Sequence, residues 1–122
     1  MKIKIRTARS SDAPAMARLV VNTWLQAHEG QMPTHLWKAR HANWTYDESE
    51  RAWRRSIQDV NDGATPGDCI LLATQRGRIL GLAACSASNK LETVSVGSLY
   101  VLTSYQRMHI GKQLLEAVKA RY

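Results

Sequence analysis

Apolar and polar positions at the start of the chain predict a strand followed by a helix. Residues 2–8 alternate basic and apolar side chains, which is typical of a half-buried strand. Apolar residues then recur at intervals of three and four, after a candidate N-cap at Ser10 or Ser11. We therefore expect an amphipathic helix that begins just after these serines and ends before Gly30.

Residues 31–66 show a weaker pattern of apolar positions. A short helix beginning near Pro33 fits the first part of this segment. A second helix capped by Asp47 or Ser49 fits the later part, because apolar side chains there recur on one face. The Pro66–Gly67 pair predicts a turn at the end of the segment.

The second half of the chain predicts three strands and a closing helix. Strands are expected at residues 69–75, 78–87 and 93–102, and the helix at residues 109–121. The resulting order, β-α-α-β-β-β-α, indicates an α/β or α+β domain with an antiparallel hairpin in its sheet. Because no repeat, low-complexity tract or linker interrupts this order, residues 1–122 are predicted to form one domain.

The predicted hairpin contains both cysteines of the chain, Cys69 and Cys85. With a two-residue turn, Gln75 pairs with Arg78 and Asp68 faces Cys85. Cys69 is then expected one register step away, on the other face of the sheet, which disfavours a disulfide. The cysteines also lack the spacing of metal ligands, so we interpret them as reduced core residues of a cytoplasmic protein.

The charge of the chain favours anionic partners. Its 122 residues include 17 Lys and Arg against 10 Asp and Glu, a formal net charge of +7. Nothing in the sequence resembles a DNA-recognition helix or a strand of stacking aromatic residues, so nucleic acid is not the expected partner. A membrane partner is not expected either, because no apolar run approaches the roughly 20 residues of a membrane span.

The clearest chemical signal is a strand, a polar loop and a helix near the end of the chain. The strand ends near Leu102 and the helix begins near Gly111. The first turn of a helix presents N–H groups and a partial positive charge. Gly111 allows a ligand to approach the backbone closely, and Arg107 and Lys112 add full charges. This combination predicts a pyrophosphate site.

Several stretches of the sequence resemble the GCN5-related N-acetyltransferase (GNAT) family. The acetyl-CoA loop of that family has the form Gln/Arg-x-x-Gly-x-Gly/Ala, and residues 106–111 read Gln-Arg-Met-His-Ile-Gly. Leu-Tyr-Val-Leu precedes this loop and Lys-Gln-Leu-Leu-Glu-Ala follows it. Residues 5–13 and the Trp-x-x-Ala-x-x-Gly-x-x-Pro stretch at residues 24–33 are also similar to family members. The resemblance therefore spans the chain in the family's order.

The resemblance implies a GNAT-like fold, with a mixed, mainly antiparallel sheet and helices on both of its faces. It also implies acetyl-CoA as cosubstrate and transfer of the acetyl group to a primary amine of a small molecule or peptide, by direct attack on the thioester. Pantetheine would lie along the fourth strand and the pyrophosphate on the amides of the loop. The implied cofactor-binding residues are Leu99, Tyr100, Val101, Arg107, Met108, His109, Ile110, Gly111 and Lys112.

Two departures from the family pattern bear on activity. His109 replaces the earlier glycine of the loop, and we expect its side chain to crowd the phosphates and alter the affinity. A changed backbone conformation, or a hydrogen bond from the imidazole to a phosphate, are the alternatives. The sequence ends at Tyr122, where the family continues with a fifth strand, a fourth helix and a hairpin, so we expect a C-terminally truncated fold.

Such a truncation leaves the fourth strand with an open edge. Unpaired edges promote association, so a homodimer that closes the sheet is expected. A catalytically silent CoA-binding or scaffold protein is the alternative to an active N-acetyltransferase.

The sequence does not single out a catalytic residue. Acetyl transfer requires a neutral amine, and Glu92, Ser95, Ser98 and Tyr100 are candidates for accepting its proton or positioning a water molecule. Each also has a structural explanation as a turn or sheet-surface residue. All four tryptophans lie between residues 24 and 53, where an acceptor pocket and core packing are both open interpretations. The histidines lack metal-ligand spacing, so no metal site is expected.

Overall fold

The computed structural model of the chain describes residues 2–28, 30–43, 46–65, 67–88, 93–102, 105 and 108–122. After a first strand, a short 3-10 turn at Ser10–Asp12 leads into three helices, and three strands and a fourth helix follow. The elements are β1 Lys4–Thr7, α1 Ala13–His28, α2 Thr34–Asn43, α3 Tyr46–Asn61, β2 Asp68–Gln75, β3 Arg78–Ser88, β4 Thr93–Val101 and α4 Ile110–Arg121. The predicted strands and the first and last helices are confirmed to within a few residues.

The strands of the described residues form one sheet in the order β1-β2-β3-β4, and every neighbouring pair is antiparallel. Strand β2 is buried on both faces. Its Ile70 and Leu72 face α1 and α3, whereas Leu71 and Ala73 face α4. Helices therefore cover both faces of the sheet, as expected, and β2 lies at the centre of two apolar cores.

Arg6 and Asp12 join the first strand to the start of the first helix. The two terminal nitrogens of Arg6 each donate to a different carboxylate oxygen of Asp12 at 2.8 Å, and the Arg9 N–H donates to Asp12 at 2.7 Å. The hydrogen bonds from Arg6 are the main reason that the pKa of Asp12 lies below its usual value. This pair fixes the turn of the chain between β1 and α1.

Helix α3 begins earlier than its expected cap. The helix starts at Tyr46, so Asp47 lies in its first turn, where a negative charge is favourable, rather than at the N-cap. Ile57 is fully buried, and Trp53 and Val60 pack against the core on the same face. The helix therefore presents the predicted apolar face to the sheet.

The predicted register of the β2–β3 hairpin is wrong. Gln75 does pair with Arg78, but Cys69 lies directly opposite Cys85, on the same face of the sheet. The reason is a bulge, since Thr74 pairs with Ile79 while Ala73 pairs with Gly81. The extra residue in β3 moves the rest of the strand by one step, which hydrophobic alternation did not reveal.

The two cysteines are buried and not bonded to each other. Burial, with a smaller contribution from Cys69, raises the pKa of Cys85 to about 11. The Cys85 thiol is therefore protonated and unreactive at neutral pH.

Gly81 permits the close packing of α4 against the sheet. A Cβ atom at this position would lie 3.0 Å from the Tyr100 carbonyl oxygen and 3.3 Å from side-chain atoms of Ile110 and Leu114. We expect Gly81→Ala to lower the free energy of unfolding by about 1–3 kcal/mol, because backbone and two buried side chains must move. Urea denaturation measures the change.

Gly97→Ala is the matched control for Gly81→Ala. A Cβ atom at Gly97 would meet its nearest neighbour, the Ala84 carbonyl oxygen, at 3.8 Å, which is ordinary van der Waals contact. Equal loss of stability in the two variants would show that the close approach at Gly81 is not the cause.

Candidate functional site

Strand β4 lies at the edge of the sheet formed by the described residues. Its pairing with β3 is interrupted, because Ala84 pairs with Ser98 and Cys85 with Val96. Gly97 is therefore the extra residue of a bulge. Such bulges bend a strand and change where its side chains point, and they occur often beside active sites.

The backbone N–H and carbonyl groups of successive residues in β4 point alternately toward β3 and toward the open edge. Leu102 donates its N–H to the Leu80 carbonyl at 2.8 Å, so its backbone groups point toward β3. The backbone groups of Tyr100 also point toward β3, because those of alternate residues in an antiparallel strand point the same way. The N–H and carbonyl of Leu99 are then directed toward the open edge, and its side chain is 41% exposed. This is the part of β4 that the resemblance assigns to pantetheine.

The N-terminus of α4 lies next to the end of β4. Ile110 is the first residue of α4 and is fully buried in the core between α4 and the sheet. A Cβ atom on Gly111 would lie 3.9 Å from a methyl group of Val101, and no other described residue would lie closer. The structure thus brings the predicted strand and loop portions of the site together, and it leaves the backbone at Gly111 approachable.

His109 has a left-handed backbone conformation, which glycine adopts more readily than histidine does. Its φ and ψ angles are 59° and 24°, in the left-handed region, and its carbonyl accepts the N–H of Gln113 at 3.0 Å. The expected crowding and both of its alternatives stay predictions. The side chains of Met108, His109 and Lys112 are exposed around the helix N-terminus.

Not every predicted cofactor residue presents its side chain to this site. Ile110 is a core residue, so only its backbone amide is available to a ligand. Tyr100 packs with the core under α1 and α3, on the face of the sheet opposite α4. Arg107 lies outside the described residues, as does Gln106 before it.

The face of β4 that is turned toward α3 carries three of the four candidate catalytic residues. Tyr100 and Ser98 lie in successive positions on this face and line a cavity of about 460 Å³. Ser95 is exposed beyond the bulge, on the strand segment paired with Ser86. Glu92 lies outside the described residues. Trp53 and Glu48 of α3 form the opposite wall of the cavity.

A second cavity of about 280 Å³ continues from the first along the same face, and Trp53 and Ser98 line both. It contains two acidic residues that the sequence analysis did not identify, Asp59 of α3 and Asp68 of β2. Asp68 shares the face of Ile70, since side chains two apart in a strand point the same way. The alternation of side chains along β2 could have predicted the face on which Asp68 lies. It could not have predicted that Asp68 lies near α3, because that contact depends on the tertiary fold.

The structure describes the side chains of two of the four tryptophans, Trp24 and Trp53. Trp53 both packs against the core and lines the two cavities. Trp24 is stacked on His28 with ring centroids 4.2 Å apart, and the His28 Nδ1 lies 2.8 Å from the Trp24 carbonyl oxygen. Trp37 belongs to α2, and Trp44 lies outside the described residues.

The described part of the chain contains neither a metal-binding cluster nor a helix that could span a membrane. It holds no group of three or more His, Cys, Asp or Glu side chains placed to bind a metal ion. None of its helices has the length and apolar character needed to cross a membrane.

Comparison with known proteins identifies a family. A family model described as the acetyltransferase (GNAT) family matches residues 25–122. No curated protein matches the chain significantly.

Several solved structures share the fold. PaiA N-acetyltransferase from Thermoplasma acidophilum, in complex with coenzyme A, has a TM-score of 0.78 at 18% identity, over 98% of this chain and 71% of that one. An acetyltransferase of the GNAT family from Desulfovibrio desulfuricans, described as putative, has a TM-score of 0.65 at 19% identity, over 96% of this chain and 63% of that one. AAC(6')-Iy, in complex with a CoA bisubstrate analogue, has a TM-score of 0.61 at 16% identity, over 98% of this chain and 71% of that one. These likenesses confirm the predicted fold class.

The left-handed conformation of His109 generates a stability prediction. The left-handed conformation costs a residue with a Cβ atom about 1–2 kcal/mol, whereas glycine adopts it without this cost. Glycine also loses more backbone entropy on folding, by roughly 0.5–1 kcal/mol. We expect His109→Gly to raise the free energy of unfolding by up to about 1 kcal/mol in urea denaturation.

His109→Ala tests the cause of that gain. Alanine removes the imidazole but keeps a Cβ atom in the left-handed region, so this variant is expected to show no gain. If alanine stabilises the protein as much as glycine does, the side chain and not the backbone conformation is responsible.

Proposed function

Because the chain belongs to the GNAT acetyltransferase family, we propose that it uses acetyl-CoA to acetylate a primary amine of a small molecule or peptide. The observation that carries the proposal is the junction of the β4 edge with the N-terminus of α4, where Gly111 lies beside Val101. The coenzyme A complex of the similar Thermoplasma acidophilum structure supports the choice of cofactor.

In the proposed complex, the extended pantetheine arm lies along residues 99–101 of β4. The main chain of Leu99 is directed toward this edge, so an amide of the arm can pair with it as an added strand does. The exposed Leu99 side chain provides apolar contact. The fit requires an edge with room beside it, and β4 has a strand neighbour on only one side within the described residues.

The pyrophosphate is proposed to bind at residues 107–112. The amides of Ile110, Gly111 and Lys112 belong to the first turn of α4, which favours anions through its N–H groups and the helix dipole. Lys112 adds a positive charge, and Arg107 adds another by sequence. From residue 76 onward the chain has seven basic residues and two acidic ones, which suits a polyanionic ligand.

Acetyl-CoA supplies the acetyl group as a thioester. The acceptor nitrogen forms a bond to the carbonyl carbon, the carbon–sulfur bond breaks, and the sulfur leaves as a thiolate while the nitrogen loses a proton. The acceptor must therefore bind as a neutral amine at its reacting end. We propose that it approaches from the cavity under α3, where the Ser98 and Tyr100 side chains line the wall formed by β4. Their hydroxyls are suited to positioning the amine or a water molecule that accepts its proton.

Binding of acetyl-CoA tests the proposal most directly. Isothermal titration is expected to show micromolar affinity, about −8 kcal/mol. Gly111→Asp is expected to weaken it at least tenfold, because a carboxylate then faces the phosphates. The structure has room for this side chain, and an acidic residue in the first turn does not destabilise a helix.

Gly111→Ala is the matched control, since it adds a Cβ atom without charge and the family pattern accepts alanine there. Its affinity is expected to stay within a few-fold of the unmodified protein, and thermal unfolding should show both variants folded. No binding by the unmodified chain, or equal binding by Gly111→Asp, would contradict the proposal and favour a silent scaffold protein.

We also propose a homodimer in which the β4 segments before the bulge at Gly97 pair, so that residues 99–101 stay free for pantetheine. Val96 is 40% exposed and lies near the edge of this segment. An exposed apolar edge strand tends to pair with another strand. A cytoplasmic location and a single domain over residues 1–122 stay predictions.

Light scattering after size-exclusion chromatography measures the oligomeric state. We expect a dimer that Val96→Lys converts to a monomer, because a lysine at an edge opposes strand pairing. Leu36→Lys, which replaces an exposed apolar residue of α2, is expected to remain dimeric. A monomeric unmodified protein at high concentration would exclude the proposed dimer.

A further inference from the structure

The cavity of about 280 Å³ beyond the β4 bulge differs in charge from the rest of the protein. The chain has a net charge of +7, yet the described residues that line this cavity include two carboxylates and neither Lys nor Arg. Four residues with hydroxyl groups also line it, namely Ser56, Thr65, Ser86 and Ser98. The cavity is therefore suited to a cation and unsuited to the polyanionic cofactor.

The two carboxylates come from opposite walls of this cavity. Asp68 lies on the sheet, paired with Ser86 on the face toward α3, and Asp59 lies on α3 itself. Both residues are partly buried. Neither side chain makes an ion pair or hydrogen bond with another described residue. Partly buried charges without partners are unfavourable, so a ligand that supplies the opposite charge would stabilise them.

Thr65 gives an independent indication of a ligand. Its Oγ1 atom is buried and has no hydrogen-bond partner within the described part of the chain. Buried hydroxyl groups are nearly always paired in native proteins. Because Thr65 lines the same cavity as Asp59 and Asp68, a ligand with N–H donors would satisfy all three groups.

The cavity is connected to the strand on which the cofactor is proposed to bind. Ser98 and Trp53 line both this cavity and the neighbouring one of about 460 Å³, which extends to Tyr100. A linear molecule can therefore have one end beside β4 and the other between Asp59 and Asp68. Trp53 lies along this path, and an indole ring is a suitable surface for a methylene chain or a cation.

We propose that the acceptor is a linear diamine or polyamine whose distal ammonium group binds between Asp59 and Asp68. This inference rests on the proposed function, and it adds the substrate class. The reacting nitrogen is neutral near Ser98 and Tyr100, while the distal nitrogen keeps its proton and donates hydrogen bonds to the carboxylates. A monoamine of the same length leaves both carboxylates unpaired, which is the basis for discrimination.

Calorimetric titration with 1,4-diaminobutane and with butylamine tests the proposal. The two probes have the same carbon chain, and only the first carries a second ammonium group. The titrations use the full chain, once alone and once saturated with coenzyme A. We expect 1,4-diaminobutane to bind at least tenfold more tightly than butylamine under both conditions, because charged hydrogen bonds favour it.

Three variants locate the binding site. Asp59→Asn and Asp68→Asn are each expected to weaken 1,4-diaminobutane binding about tenfold and to leave butylamine and acetyl-CoA binding unchanged. Asp62→Asn is the matched control, since it removes the same charge from an exposed residue just after α3 that does not line the cavity. It is expected to bind like the unmodified protein.

The outcomes separate this inference from the proposed function. Equal affinity for the two amines, or an unchanged diamine affinity in both cavity variants, overturns the diamine proposal even if acetyl-CoA binds. Failure of acetyl-CoA to bind overturns the proposed function, while the titration of the chain alone still decides whether the cavity selects a diamine. Equal weakening by Asp62→Asn would show that net charge, and not the cavity, determines the affinity.

Discussion

The close approach between α4 and β3 at Gly81 determines where the candidate cofactor site lies. Only a residue without a Cβ atom leaves space for Ile110 and Leu114 beside the Tyr100 carbonyl. Ile110 is the first residue of α4, so its burial fixes the helix N-terminus against the end of β4. This packing brings together the amides at residues 110–112 and the edge of β4.

Periodicity predicted the elements of this fold because burial governs most of its positions. The hairpin turn, the apolar face of α3 and the helix at the end of the chain all follow from side-chain spacing. The pairing of Cys69 with Cys85 did not follow, since a bulge adds a residue to β3 between Ile79 and Gly81. Such a bulge depends on packing across the sheet and leaves no periodic signal in one strand.

The two parts of the candidate site differ in how far the sequence predicts them. The proposed phosphate loop is contiguous in the sequence, so its motif and the start of the following helix are visible in residues 106–112. The acidic cavity is assembled from α3 and three strands, and Asp59 and Asp68 approach each other only in the folded chain. His109 was predicted only in part from the sequence. The motif identified its position, but its left-handed backbone conformation is known only from the structure.

Strand β4 separates two environments of opposite charge preference. The end of β4 adjoins the N-terminus of α4, where the helix dipole and the exposed Lys112 favour the phosphates of a cofactor. Its face toward α3 lines the cavities with hydroxyl and carboxylate groups that favour a cation. The bulge at Gly97 lies next to Ser98, which borders both cavities. The proposed anionic donor and cationic acceptor can thus bind to different sides of one strand without competing for the same charges, and the proposal places their meeting point where that strand bends.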